Sequence, residues 1–128
     1  MNKKGLSKIR HHLGKTQGQL AQLLGVSTKA IQSFEQGWRR IPPHVERQAL
    51  FLLAMKANRE GKGIPRCWEV KECSAEKRGG CPAWEFQCGH LCWFINGTIC
   101  RGGAETNWDK KMRICRKCEV FQSSLPRL

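Results

Sequence analysis

All eight cysteines of this chain lie between Cys67 and Cys118, and the 66 residues before them contain none. That asymmetry limits the possible folds more than any other feature. The cysteine-bearing stretch, 67–128, has only 62 residues. Below roughly 70–80 residues a hydrophobic core seldom suffices, and small domains add disulfides or metal ions. Aliphatic side chains are scarce here: Val70, Leu91, Ile95, Ile99, Ile114, Val120, Leu125 and Leu128, with four of the chain's five tryptophans beside them. The basic N-terminus, Met1 to Lys8, has no apolar core behind it and does not read as a secretory signal. The cytoplasm is therefore the expected compartment. Its reducing conditions favour metal ligation over disulfides. The longest apolar run, Ala49–Met55, falls far short of the roughly 18 residues of a transmembrane helix, so no membrane partner is expected.

Charge changes where the cysteines begin. Residues 1–66 hold 13 Lys+Arg against 3 Glu, net +10; residues 67–128 hold 10 against 7 Asp+Glu, net +3. A field of that sign and size attracts phosphate polymers or anionic surfaces. Gly61, Gly63 and Pro65 punctuate the stretch between. The expected organisation is a domain over 1–58, a linker over 59–66 and a cysteine-rich module over 67–128.

Local chemistry predicts two short helices in the first half. Thr16 and Gln19 have capping-box spacing ahead of an apolar stripe, Leu20, Ala21, Leu23 and Leu24. Gly25 stands where a left-handed stop belongs, and Val26 can plug the corner. Ser27 is a second N-cap, opening a helix from Thr28 to Gln36 that Gly37 ends. At helical spacing Ala30, Ile31 and Phe34 face inward. Thr28, Lys29, Gln32, Ser33 and Gln36 share the other face, and none of them is acidic. Two helices joined by a glycine-containing turn of this length form the helix-turn-helix unit.

The stretches Thr16–Ala21, Leu24–Ser27, Ile31–Gly37 and Arg40–Pro42 resemble the Cro/C1-type helix-turn-helix domain of phage repressors and bacterial regulators. The resemblance covers residues 5–55. It implies a bundle of about five helices with the second motif helix in the major groove of double-stranded DNA. It also implies that Gln17 holds a phosphate and braces that helix, and that Thr28, Lys29, Gln32 and Ser33 read bases. Gln36 stands where the family usually has asparagine and should reach phosphate. Arg10 and Glu35 correspond to a structural ion pair. Trp38 departs from the family pattern; it could stack on the DNA backbone or pack on the cysteine-rich half. Arg39 and Arg40 follow in a loop that would run beside phosphates.

A further helix is expected from Pro43 to about Ala57, with Val45, Ala49, Leu52 and Leu53 inward and Leu50, Phe51 and Met55 widening the apolar surface. So broad a surface needs cover from the cysteine-rich half or from a second subunit. A homodimer also suits a protein reading two half-sites.

In the second half only Cys115-Arg116-Lys117-Cys118 has the spacing of a metal knuckle. The spacing does not match a zinc ribbon or a ferredoxin. The phrases Cys67-Trp68, Cys81-Pro82-Ala83, Cys92-Trp93, Gly97-Thr98-Ile99-Cys100 and Cys115–Cys118 are similar to a small module with two Cys-Trp pairs found in regulators of anaerobic bacteria. That resemblance adds Cys67, Cys73, Cys81, Cys92 and Cys100 to Cys115 and Cys118 as ligands; Cys88 is extra to the module's usual seven. Three readings stay open: a structural metal, a redox sensor, or disulfides. Thiolates suit zinc and iron–sulfur clusters equally.

The fold expected is an all-α helix-turn-helix bundle followed by a small, irregular, metal-stabilised module. The function expected is sequence-specific transcriptional regulation, without enzymatic activity. An interaction adaptor that docks a partner through the cysteine-rich half, or a thiol redox enzyme using Cys115 and Cys118, are the alternatives.

Overall fold

The computed structural model describes residues 2–59, 76, 79–86, 89–94 and 107–125. The chain divides into two compact units, Met1–Lys56 with Arg127–Leu128, and Ala57–Pro126. The division falls inside a helix that persists through Arg59. Residues 60–66, most of the expected linker, lie outside the described residues.

Helix α1 (Lys3–Leu13) opens at Asn2, whose side-chain oxygen accepts from the Gly5 amide at 2.8 Å, and closes at Gly14 with φ +69°. Helices α2 (Gln17–Leu24) and α3 (Thr28–Gln36) follow, each ended by a left-handed glycine, Gly25 and Gly37. Helix α4 (Pro43–Arg59) starts at its proline and completes the unit. Four helices thus stand among the described residues of this unit, against the five that the resemblance implies. Helix α3 packs on both α1 and α2. Leu6 and Ile9 of α1, Leu20, Ala21 and Leu24 of α2, and Ala30, Ile31 and Phe34 of α3 are buried. The Lys56 ammonium donates to the carbonyl of His12 at 2.9 Å. A cation there satisfies an orphan carbonyl at the negative end of α1 and ties α4 to it.

Two stripe assignments need correction. Leu23 is 51% exposed. At about 100° per residue it falls about 105° from the centre of the face shared by Leu20, Ala21 and Leu24. On α4 the buried apolar set is Val45, Ala49, Leu50, Leu53, Ala54 and Ala57, not Leu52, which is half-buried. That face is centred near Leu53, and Leu52 lies at its margin, about 100–110° away. Phe51 is half-buried and Met55 is 44% exposed on the far side.

The described part of the second unit is helical rather than irregular. It comprises α5 (Pro82–Glu85), a 3₁₀ segment (Gly89–Phe94), α6 (Trp108–Cys115) and α7 (Glu119–Ser124). The 3₁₀ segment packs on all three helices. Its Trp93 is fully buried, as are Ala83 and Val120. The Trp93 ring meets Phe121 edge-on at 5.4 Å between centroids and Phe94 at 6.1 Å. Aromatic rings here take the place of the missing aliphatics, the geometry their quadrupoles favour. Among the described residues there is no strand, and no helix is long and apolar enough to cross a membrane.

Candidate nucleic-acid interface

The turn between α2 and α3 is fixed by its caps. The Thr16 hydroxyl accepts from the Gln19 amide at 3.1 Å while the Gln19 side chain accepts from the Thr16 amide at 3.0 Å. The Val26 amide donates to the Ala21 carbonyl, and the Ser27 hydroxyl accepts from the Ala30 amide at 3.1 Å. Each bond satisfies a backbone group that a helix end would otherwise leave open. Gly18 of α2 faces the start of α3, where a Cβ would stand in ordinary contact, 3.9 Å from the Thr28 hydroxyl. Val26, at the corner, is half-buried.

One carboxylate sets the roll of α3. Glu35 accepts from Arg10 Nε at 2.8 Å on one oxygen and from Gln17 Nε2 at 2.6 Å on the other. Arg10 also donates to the Lys15 carbonyl at 3.1 Å. Helices α1, α2 and α3 therefore meet at a single anion, whose side chain is 8% exposed, with Arg10 at 15%. The Gln17–Glu35 bond spans 18 residues of sequence, and helical periodicity carries no sign of it. Glu35→Ala leaves Arg10 without its carboxylate and Gln17 without its acceptor. Loss of one partner of a buried pair costs about 3–5 kcal/mol; with this partial exposure about 2–3 kcal/mol is expected. Urea denaturation checks it, and Glu35→Gln, which keeps an acceptor, should lose less.

With α3 so held, Ala30, Ile31 and Phe34 go into the core. Thr28, Lys29, Gln32 and Gln36 are exposed and Ser33 is half-buried. Beyond Gly37, with φ +81°, the amides of Trp38 and Arg39 both donate to the Ser33 carbonyl, at 3.0 and 3.3 Å. The chain folds back over the last turn of α3 and presents Arg39 and Arg40, both exposed. Trp38 is 80% exposed.

The exposed charge among the described residues of the first unit carries one sign. Both acids among the described residues of the first unit are withdrawn: Glu35 into its pair and Glu46 to 5% exposure. Lys3, Lys4, Lys8, Lys15, Lys29, Arg39 and Arg40 are all exposed. No exposed carboxylate stands among the described residues of that unit.

The thiols are a separate matter. Cys92, Cys115 and Cys118 are buried, Cys81 is half-buried, and none of the four is in a disulfide. Cys115 ends α6 and Cys118 precedes α7, and the Cys118 amide donates to the Cys115 carbonyl at 2.9 Å. Cys67, Cys73, Cys88 and Cys100 lie outside the described residues. Among the described residues no group of three or more His, Cys, Asp or Glu is placed to hold a metal ion.

No family model, curated protein or solved structure matches this chain.

Proposed function

We propose that this chain is a cytoplasmic, sequence-specific double-stranded DNA-binding regulator whose first unit docks a helix-turn-helix of the Cro/C1 type, α2 and α3, in the major groove. The observation that carries this reading is the exposed polar face of α3 within a surface of exposed lysines and arginines from which both acids are withdrawn. Phosphates reward the charge; base edges reward fixed amide, hydroxyl and ammonium groups on a helix that cannot roll. Thr28, Lys29, Gln32 and Ser33 read bases in this account. Gln36, Arg39 and Arg40 hold the backbone, and Gln17 braces α3 through Glu35.

At about 1.5 Å per residue, the nine residues of α3 span only about 14 Å, enough for one half-site. Specific binding therefore calls for a homodimer. The second unit supports the first as a metal-held module, in which Cys115 and Cys118 would supply thiolates to zinc or an iron–sulfur cluster. The fold carries binding rather than catalysis in this reading.

The test is a pair of single substitutions. On a duplex selected from random sequence, Lys29→Ala and Gln32→Ala should each lose roughly 1–3 kcal/mol of binding free energy, and much less on unselected duplex. Equal losses on both duplexes would assign these side chains to phosphate and contradict the base-reading role.

A further inference from the structure

Resting on the duplex-DNA reading above, we propose that Trp38 is itself a DNA contact, with its indole face against a deoxyribose of the backbone that flanks the footprint of α3. Trp38 is 80% exposed, in a unit whose other large apolar side chains are mostly drawn inward. Its place is not slack. Gly37 turns the chain, and hydrogen bonds from the Trp38 and Arg39 amides to the Ser33 carbonyl hold the backbone at Trp38 against the last turn of α3. The Lys3 side chain runs past the same turn, its Cδ 3.0 Å from where a Gly37 Cβ would stand.

The surroundings choose the occupant. Trp38 is followed by exposed Arg39 and Arg40, and no described acid of this unit is exposed near or far. A second copy of the same loop would bring like charges together, which disfavours self-association there. A DNA backbone supplies what the indole and its neighbours need at once. Its sugars are apolar, its phosphate oxygens accept from the indole N–H, and its charge complements the arginines. Such a contact positions the protein without reading sequence, so it is felt on any duplex.

That last property makes the test independent of an operator. The full-length chain is titrated into a fluorescein-labelled random-sequence 30-base-pair duplex, alongside Trp38→Ala, Trp38→Phe and Arg39→Ala. Covering the indole with apolar sugar atoms and giving its N–H a phosphate acceptor are both favourable, and Trp38→Ala should bind about tenfold more weakly. Trp38→Phe should stay within about threefold, because it keeps an aromatic face. The salt dependence separates the roles. Trp38→Ala should leave the slope of log affinity against log salt unchanged, whereas Arg39→Ala should flatten it by about 0.9. Far-ultraviolet dichroism of Trp38→Ala should match the wild type, since the side chain packs on little. The difference in tryptophan emission between wild type and Trp38→Ala should be quenched or blue-shifted by duplex. Wild-type affinity in Trp38→Ala would overturn the contact and leave the DNA reading standing. Emission that responds to anionic vesicles of phosphatidylglycerol but not to duplex would overturn it in favour of a membrane. Failure of the wild type to bind duplex at all would overturn both.

Discussion

Trp93→Ala should cost about 3–5 kcal/mol and abolish cooperative unfolding of the second unit, while the helices of the first unit persist. Trp93 is fully buried; it sits on the 3₁₀ segment that packs against α5, α6 and α7. Its removal deletes the edge-on contacts to Phe121 and Phe94 and leaves a cavity where three helices converge. A loss of that size rivals the whole stability of a small domain. Urea melts followed by tryptophan emission and by far-ultraviolet dichroism should separate: the first signal loses its transition and the second keeps one. Trp93→Phe, which retains a ring, should lose less. A second unit that still unfolds cooperatively with its original midpoint would remove Trp93 from the centre of its core.

Chelation should have the larger effect. A structural thiolate site contributes roughly 10–16 kcal/mol at neutral pH, more than any single side chain in so small a unit. Treatment of anaerobically purified protein with a strong chelator should therefore unfold residues 67–121 and leave the first unit folded. Amide spectra should show the second-unit signals collapse and those of α1 to α4 hold. Substituting both Cys115 and Cys118 by serine should reproduce the collapse without chelator. The colour and metal content of the same preparation identify the ion: brown with iron and sulfide for a cluster, colourless with zinc for a tetrahedral site. A metal-free, reduced protein with well-dispersed second-unit amides would show that the aromatic core suffices.

The first unit was legible where its chemistry is local. The Thr16–Gln19 box, the Ser27 cap, the left-handed stops at Gly25 and Gly37, and the start of α4 at Pro43 each depend on a few adjacent residues. Periodicity identified stripes on α2 and α4 but not where their centres lie, so Leu23 and Leu52 were placed inward and stand outside or at the margin. The centre of a stripe is set by what packs on it, and that is a tertiary fact. The Gln17–Glu35 bond, the Lys56 bond to His12 and the exposure of Trp38 belong to the same class. In the second unit, cysteine spacing drew attention to the Cys115–Cys118 turn. The grouping of the elements that carry Cys81, Cys92, Cys115 and Cys118 depends on contacts between segments far apart in sequence.

The proposed partner of the basic α3 surface, in a unit with no exposed acid among its described residues, is duplex DNA. The most direct measurement is the affinity of the full-length chain for duplex from about 50 to 300 mM salt. Arg39 and Arg40, both exposed and assigned to the backbone, should by themselves give a slope of log affinity against log salt of about −1.8, steeper with exposed lysines engaged. Replacing those two by alanine should flatten the line by that amount. Affinity independent of salt, or no binding at about 50 mM, would contradict the account.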